Sequence, residues 1–424
     1  MLAPTPASPE SAGMSTAALD RLEAHLKSRY LDSGRFPGTQ LLIYRRGKIV
    51  HSTVQGFADL ERKAPMKDDT IFRIYSMTKP ITSVAFMMLV EEGKVALDEP
   101  VAKYIPEWKN LGVFVAGTAP AFLTRPPTRP MQIVDLLRHT SGLTYGFQQR
   151  SNVDAAYREK KIGEVIKAGT LDGIIEDLAK IPLEFSPGEA WNYSVSTDVL
   201  GYLVGKIAGM PFEQFLKERI FKPLGMNDTD FFVPADKAHR FAACYSADPQ
   251  GGFNPLAAER KGTLTLQDDP TTSTFLSPPS LISGGGGLCS TAADYLTFCR
   301  ALLNGGELGG VRLLGPKTLK LMASNHLPGG VDLPAMSRSM FAEAAYNGIG
   351  FGLGFAVTMH PAQTLIAGSP GEFNWGGAAT TSFFIDPAEE LITIFMTQVL
   401  PSSAYPLRRE LRTMVYAAIT ESNL

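Results

Sequence analysis

The chain has 424 residues, 44% hydrophobic and 19% charged, with a formal net charge of −2. This composition is typical of a soluble globular protein with a large core, and it lacks the basic character of nucleic-acid-binding proteins and polycationic membrane-binding segments. The three cysteines are too few for a disulfide framework. No apolar run reaches the roughly 18 residues of a membrane span, and the N-terminus lacks signal-peptide features. We therefore expect a cytoplasmic protein with no nucleic-acid or membrane partner.

The N-terminal part of the sequence predicts a helix, a hairpin and a second helix, in that order. Residues 15–31 have helical spacing, with Ser15 as a plausible N-cap. Residues 38–59 contain two β-rich runs joined by a short "RRGK" turn, a pattern typical of a hairpin. An almost wholly apolar helix follows, beginning near Ser76 and ending at Gly93.

The rest of the chain changes from mainly helical to mainly β-rich. The middle section, about 94 to 290, mixes Pro/Gly-rich loops with predicted helices at 131–138, 170–180, 196–208 and 212–219. Strands are predicted late, at 348–359, 380–387 and 391–399, before an amphipathic helix at 405–419.

This distribution predicts an α+β fold. Strands near both ends of the chain join most economically in one antiparallel sheet, flanked by the terminal helices. We expect one domain from residues 1–93 and 290–424, with a mainly helical domain (94–289) inserted between them. A cleft between two such domains is a common place for an active site.

The segment "IYSMTKP" places Ser76 three residues before Lys79. On a helix these residues share one face, so the lysine can reach the serine hydroxyl. A serine needs a base to become a nucleophile, and apolar neighbours would lower the pKa of the lysine towards useful basicity. The same serine is also a plausible helix N-cap with no catalytic role, and the motif by itself leaves both readings open.

Two further segments contain residues suited to such a site. Tyr193 lies just before the helix predicted to start near Ser196, where its phenol could point into a cleft. The run Trp375-Gly376-Gly377-Ala378 leads towards a strand, and paired glycines there allow close approach of backbone N–H groups to a ligand.

Other hydrolase classes lack their signatures in this chain. No serine has glycines at both i−2 and i+2, so the nucleophile elbow of the α/β-hydrolases is absent. Of the six histidines only His139, in "RHTSGL", has a motif-like context, and we expect it to have a structural role. No H-x-x-x-H spacing indicates a metal site.

Together the three segments resemble the serine β-lactamase/penicillin-binding-protein superfamily, and specifically the class C β-lactamases and the family VIII carboxylesterases. The resemblance covers most of the chain. It includes "HTSGLTYG" (139–146), "FSPGEAWNYS" (185–194), "PLGMNDTDF" (223–231), "GGGGLCSTAADYLTF" (284–298) and "GFGLGF" (350–355). It implies a serine β-lactamase/transpeptidase-like fold.

The resemblance also implies roles for individual residues. Ser76 matches the acylating nucleophile, Lys79 its partner, and Tyr193, the first residue of the Y-x-N element, the general base. The backbone N–H groups of Ser76 and Ala378 match the oxyanion hole. No cofactor or metal is implied.

Two departures from the lactamase pattern affect the substrate-binding residues. Val195 replaces the asparagine of Y-x-N, which removes an amide partner for a β-lactam side chain. Trp375, Gly376 and Gly377 replace K-T-G, so an aromatic residue stands where a cation would bind a carboxylate. The W-G-G form is the one found in family VIII esterases.

We therefore expect a serine carboxylesterase that hydrolyses small-molecule esters with short-to-medium acyl groups, with β-lactam hydrolysis at most a weak side activity. The alternatives are a class C-like β-lactamase or D,D-peptidase, an acyltransferase using the same acyl-enzyme, and a binding module acylated only once. Aromatic and Met-rich loops at 145–150 and 337–348 are candidates for the pocket lining. The sequence leaves the oligomeric state open.

Overall fold

A computed structural model describes residues 6–164, 169–247, 263–338 and 346–424. Its strands are β1 (Gly38–Arg45), β2 (Lys48–Asp59), β3 (Ala64–Pro65), β4 (Phe72–Arg73), β5 (Val113–Thr118), β6 (Ala121–Arg125), β7 (Cys244–Ala247), β8 (Leu264–Asp268), β9 (Cys289–Ser290), β10 (Glu307–Leu308), β11 (Val311–Arg312), β12 (Ile349–Phe351), β13 (Ala356–Thr358), β14 (Phe373–Gly376), β15 (Ser382–Asp386), β16 (Leu391–Met396) and β17 (Val399–Leu400). Its α-helices are α1 (Thr16–Leu26), α2 (Thr78–Glu91), α3 (Ile133–Leu137), α4 (Asn152–Glu159), α5 (Leu171–Leu178), α6 (Ser196–Ala208), α7 (Phe212–Leu216), α8 (Lys222–Leu224), α9 (Ala292–Leu303), α10 (Pro316–Met322), α11 (Leu333–Met336), α12 (Pro361–Thr364) and α13 (Leu407–Ala417).

An eight-stranded sheet joins the two ends of the chain. Its strand order is β12-β13-β14-β15-β16-β1-β2-β3, and neighbouring strands pair antiparallel. The two ends meet where β1 pairs with β16, with Leu42 opposite Ile394. The predicted α+β class and the antiparallel sheet built from distant strands are therefore confirmed.

Both faces of the sheet are covered, which explains why β1 is buried along its whole length. Leu41 and Ile43 pack in one core with Leu19 of α1 and Leu411 of α13. Leu42, on the opposite face, belongs to a second core that includes the buried side chains of α2 and α9. Side chains alternate along a strand, so each core receives every second residue. The terminal helices flank the sheet, as predicted.

The predicted helices and the first hairpin are present. Ser15 caps α1 by accepting a hydrogen bond from the Ala18 N–H at 3.2 Å. The β1–β2 turn at Arg46 and Gly47 has positive φ at both residues, and Gly93 has positive φ just after α2. The helices predicted within 131–219 and at 405–419 correspond to α3, α5, α6, α7 and α13.

Some strands differ from the prediction. Residues 348–359 form the β12–β13 hairpin instead of one strand, because the chain turns at Gly354, where φ is +109°. The β5–β6 hairpin and the antiparallel pairing of β7 with β8 were not predicted, and β7 also pairs in parallel with β17. Residues 94–289 thus contain strands as well as helices α3–α8, and the division of the chain at residues 93 and 290 stays a prediction.

No helix in the described part of the chain is long and apolar enough to cross a membrane.

Candidate active site

Ser76 lies in a tight turn that leads into α2. The turn is a 3₁₀ segment, Tyr75–Met77, and the N-cap position of α2 belongs to Met77 without a side-chain cap hydrogen bond. The alternative reading of Ser76 as a helix N-cap with no other role is therefore not supported, because the contacts of its hydroxyl are with other side chains. Tyr75 has φ of +42°, a conformation that costs on the order of 1–3 kcal/mol for a non-glycine residue. This strained turn places the Ser76 hydroxyl at the wall of a cavity.

Two ionisable side chains, an amine and a phenol, contact the Ser76 hydroxyl. The Tyr193 hydroxyl donates to Ser76 Oγ at 2.5 Å. Lys79 Nζ lies 3.2 Å from the same oxygen and donates to the Gly285 carbonyl oxygen at 2.6 Å. Lys79 Nζ also lies 4.4 Å from the centroid of the Tyr193 ring. The structure therefore brings together the three residues predicted to perform catalysis.

Burial shifts the two neighbours of Ser76 in opposite senses. Lys79 is 1% exposed, and burial, partly offset by the nearby Asp198 carboxylate, lowers the pKa of Lys79 to about 7. Burial raises the pKa of Tyr193 above its ordinary value, against smaller lowering effects of hydrogen bonds with Ser76 and Trp375. Near neutral pH the site therefore holds a neutral phenol beside an amine that readily gives up its proton.

The turn between β14 and β15 brings Ala378 to the cavity wall. The Gly377 N–H donates to the Thr381 carbonyl oxygen at 2.8 Å. Within the described residues we find no hydrogen bond from the N–H of Ala378 or Ser76, and both residues line the cavity. A Cβ on Gly377 would lie 2.4 Å from the Ile74 carbonyl oxygen, so only glycine lets this turn approach the segment before Ser76. Two unpaired N–H groups at one cavity wall suit an oxyanion hole.

Gly376 has a packing role of its own. A Cβ at this position would lie 2.4 Å from Arg408 Nη2, so the missing side chain makes room for the guanidinium of α13. Arg408 donates to the Gly377 carbonyl oxygen at 2.9 Å and to that of Thr381 at 3.2 Å. The guanidinium therefore supports the turn that carries Ala378.

Trp375 forms part of an aromatic wall beside Tyr193. Its ring lies 5.5 Å from that of Tyr193 and 5.4 Å from that of Phe351, centroid to centroid. Trp375, Gly376 and Gly377 all line the cavity, as predicted for substrate-binding residues. Trp375 and Gly376 end β14, whereas the sequence placed this run at the start of a strand.

Val195 is the one predicted substrate-binding residue that the structure does not bring to the cavity. It is fully buried at the N-cap position of α6, and its N–H donates to the Thr144 carbonyl oxygen at 3.2 Å. A Cβ on Gly163 would lie 2.9 Å from Val195 Cγ1, which shows how closely the valine is packed. Its apolar side chain belongs to the core behind Tyr193.

The cavity has a volume of about 740 Å³. Besides Ser76 and the W-G-G-A run, its wall includes aromatic and aliphatic side chains: Tyr145, Phe147, Tyr346, Ile349, Ile366 and Phe383. The loops at 145–150 and 337–348 thus contribute lining residues, although 339–345 lie outside the described residues. Three cations of α13, Arg408, Arg409 and Arg412, form another part of the wall.

Asp198 and Gly285 belong to the site but were not predicted. The Gly285 carbonyl oxygen binds Lys79, and its N–H donates to Asp198 Oδ1 at 3.1 Å. The sequence carried little signal for Asp198, since an acidic residue in the first turn of a helix is common. Gly285 stands in the glycine run that we noted only as a family landmark.

His139 packs against Tyr193 and makes no hydrogen bond to Ser76 among the described residues. Its ring centroid lies 5.0 Å from that of Tyr193, and its Nδ1 lies 3.1 Å from Ser194 Oγ. Burial holds the pKa of His139 well below its ordinary value. These contacts agree with the structural role expected for this residue.

The described residues contain no group of three or more His, Cys, Asp or Glu side chains arranged to hold a metal ion. A hydroxyl flanked by an amine and a phenol, beside free N–H donors, is suited to acyl transfer through a covalent serine intermediate.

Comparisons with known proteins agree with this arrangement. The profile of the Beta-lactamase family matches residues 19–417. An uncharacterised protein of Mycobacterium tuberculosis is 37% identical over 374 residues, 87% of this chain and 88% of that protein. Esterase EstB of Burkholderia gladioli is 32% identical over 396 residues, 90% of this chain and 91% of that esterase.

A solved structure extends the similarity to the fold. EstCE1, described as a hydrolase with promiscuous acyltransferase activity, superimposes with a TM-score of 0.76 at 26% identity, covering 96% of this chain and 99% of EstCE1. The fold is thus the β-lactamase/transpeptidase-like fold that the motifs predicted. This chain belongs to the Beta-lactamase family, as a serine hydrolase of the family VIII esterase type within the β-lactamase/penicillin-binding-protein superfamily.

Proposed function

We propose that this hydrolase is a carboxylesterase that cleaves neutral, small-molecule esters of short-to-medium acyl length through an acyl-enzyme on Ser76. The observation that supports the proposal most directly is the contact geometry of the Ser76 hydroxyl. It accepts a hydrogen bond from Tyr193 at 2.5 Å and lies 3.2 Å from Lys79 Nζ. This is the arrangement that a serine needs to lose its proton during attack and to pass a proton to a leaving group.

The opposite pKa shifts support a scheme in which Lys79 is the base in the first half of the reaction, whereas the resemblance implied Tyr193 for this role. The Ser76 hydroxyl gives its proton to the neutral amine of Lys79 as Oγ attacks the ester carbonyl, whose oxygen lies between the N–H groups of Ser76 and Ala378. The Tyr193 phenol then gives its proton to the departing alcohol. The new Lys79 ammonium stabilises the resulting tyrosinate and returns the proton to it.

The second half repeats these steps with water. Lys79 and Tyr193 together accept a proton from the water as it attacks the acyl-enzyme, and a proton returns to Ser76 Oγ as the acid leaves. The site starts and ends with the same protons, so the cycle needs no cofactor.

The cavity wall supports an ester substrate. Trp375 lies beside Tyr193 where the lactamase pattern has a lysine, and the rings of Tyr145, Phe147 and Phe383 line the same cavity. Apolar groups of the acyl or alcohol part can pack on these rings. EstB, which is 32% identical to this chain, is named an esterase.

The arginines of α13 are the reason to test β-lactam hydrolysis as an alternative activity. Arg408, Arg409 and Arg412 line the same cavity and carry positive charge although the K-T-G lysine is absent, and the Arg412 charge is paired with the Glu372 carboxylate at 2.7 Å. A carboxylate-bearing β-lactam therefore has a possible partner, and nitrocefin is the appropriate competing substrate. EstCE1's described acyltransferase activity likewise calls for product analysis with an added alcohol acceptor.

The test compares p-nitrophenyl esters of increasing acyl length with nitrocefin on purified enzyme and on Ser76→Ala. We expect short and medium esters to be hydrolysed faster than nitrocefin, and Ser76→Ala to lose turnover while keeping its circular dichroism spectrum and melting temperature. Faster turnover of nitrocefin would assign the enzyme to the lactamases. An undiminished ester rate in Ser76→Ala would refute the acyl-enzyme on Ser76.

A further inference from the structure

A buried carboxylate lies behind the catalytic lysine and has no part in the scheme above. Asp198, in the first turn of α6, is 3% exposed. Its Oδ1 accepts hydrogen bonds from Ser283 Oγ at 2.6 Å and from the Gly285 N–H at 3.1 Å. An ionised carboxylate is costly to bury, so its place beside the site calls for a cationic counterpart.

Gly285 connects this carboxylate to the lysine. Its N–H binds Asp198, and its carbonyl oxygen accepts from Lys79 Nζ at 2.6 Å. A Cβ at position 285 would lie 2.6 Å from Asp198 Oδ2 and 2.9 Å from the Tyr145 hydroxyl. Only glycine therefore lets the carboxylate lie against the backbone segment that holds the lysine.

The glycine run around this residue is shaped for the same packing. A Cβ on Gly284 would lie 2.7 Å from the Thr197 carbonyl oxygen and 3.3 Å from Gly201 Cα. The Gly284 carbonyl oxygen also accepts from Thr82 Oγ1 of α2 at 2.8 Å. The segment is thus held between α2, which carries Lys79, and α6, which carries Asp198.

We propose that Asp198 is a positioning residue for Lys79: through Gly285 it fixes the orientation of the amine, and through its charge it sets the pH at which the amine becomes the neutral base. Burial alone would push Lys79 further towards the neutral form, and the carboxylate opposes this. Asp198 thereby keeps the lysine's titration near the neutral pH at which a general base works best.

Three other titratable side chains lie near Asp198 and Lys79, and none of them carries a negative charge that could act on Lys79 in place of the carboxylate. Tyr145 faces Asp198 from the 139–147 segment, and Tyr193 lies before α6. Burial and the Asp198 charge both raise the pKa of each phenol above its ordinary value, so both stay neutral. Burial and the Lys79 charge hold the pKa of His139 well below its usual range, so the imidazole is neutral as well. Asp198 is thus the anion that acts on Lys79.

The test rests on the proposed function for its substrate but has a second measurement that does not. Asp198→Asn keeps the shape and removes the charge. We expect the acidic limb of the kcat/KM profile for an ester to move to lower pH by on the order of one unit, the size of a neighbouring-charge effect. The rate at which a fluorophosphonate labels Ser76 should show the same displacement, and this readout needs no ester turnover.

Two further variants separate positioning from folding. Asp386→Asn alters another fully buried carboxylate, one that accepts from Tyr416 at 2.7 Å, and should leave the midpoint unchanged. Ser283→Ala removes one donor to Asp198, which favours its protonated form, and should move the limb in the same direction by a smaller amount. It also serves as the readout if Asp198→Asn does not fold.

The outcomes are distinct for the two proposals. A limb that moves to lower pH in both measurements supports the role of Asp198. An unchanged midpoint, or a move to higher pH, overturns it, even if the variant loses rate or melting temperature. Normal labelling of the wild-type enzyme without hydrolysis of any ester would refute the proposed function and still leave the labelling profile to judge Asp198.

Discussion

Replacing Gly377 by alanine tests whether the oxyanion hole depends on the close approach of two backbone segments. The added Cβ would lie 2.4 Å from the Ile74 carbonyl oxygen and 2.3 Å from Thr381 Oγ1. An ordinary carbon contact needs roughly 3.5 Å, so one of the segments has to move by about 1 Å. This movement carries the Ala378 N–H away from the position that the proposed mechanism gives to the carbonyl oxygen of the substrate.

The expected loss is large in rate and moderate in stability. Removing one oxyanion donor lowers kcat by about 100- to 1,000-fold, whereas overpacking a site costs about 1–3 kcal/mol of unfolding free energy. The assays are steady-state hydrolysis of p-nitrophenyl butyrate and urea unfolding of the same preparation. Gly173→Ala is the matched control. Gly173 lies in α5, and a Cβ there would lie 3.5 Å from its nearest neighbour, Thr170 Oγ1, which is an ordinary contact. We therefore expect full activity and a gain of up to about 1 kcal/mol in the free energy of unfolding.

A second substitution tests which contact is responsible. Thr381 Oγ1 is buried without a hydrogen-bond partner among the described residues, so Thr381→Ala is a mild change that removes the side-chain part of the clash. In the double variant the contact with the Ile74 carbonyl oxygen remains, and activity should recover only in part. Gly377→Ala with kcat within about threefold of wild type and unchanged stability would refute this reasoning, because a genuine clash must cost one or the other.

Two further predictions concern the proton transfers. Tyr193→Phe removes the hydroxyl that donates to Ser76 and should lower kcat/KM by about 10²- to 10⁴-fold, while Tyr157→Phe, a change to a tyrosine buried in the core, should lower only the melting temperature; equal rates for the two variants would contradict the role of Tyr193. For the wild-type enzyme, kcat/KM should rise with pH through a midpoint near 7, since the pKa of Lys79 is lowered to about 7 and the neutral amine is the reactive form. Because burial raises the pKa of Tyr193, no alkaline fall should follow below about pH 10. A profile measured in constant-ionic-strength buffers that falls between about pH 7 and 9 would exclude this assignment of protons.

Local sequence patterns predicted much of the architecture. The apolar spacing of α1 and α6, the cap at Ser15 and the turn at Gly47 are short-range features, so the residues themselves predict them. The W-G-G-A run was also recognised in the sequence, but it was placed at the start of a strand, whereas Trp375 and Gly376 end β14. Turns such as that at Gly354 were harder to predict, since a glycine-rich β run reads equally as one strand or as a hairpin.

The sequence by itself indicated the family: the spacing of Ser76 and Lys79, with Tyr193 and the W-G-G-A run, carried the resemblance and predicted the nucleophile and its partners. Only the tertiary structure decided which contacts those groups make and how burial shifts their pKa values. Asp198 is linked to Lys79 through Gly285 only because α6 and α2 pack on either side of this glycine. The burial of Val195 and the close approach of the Arg408 guanidinium to Gly376 likewise depend on how distant elements pack together. Such contacts join residues far apart in the chain, and the burial that shifts their pKa values depends on every element packed around them.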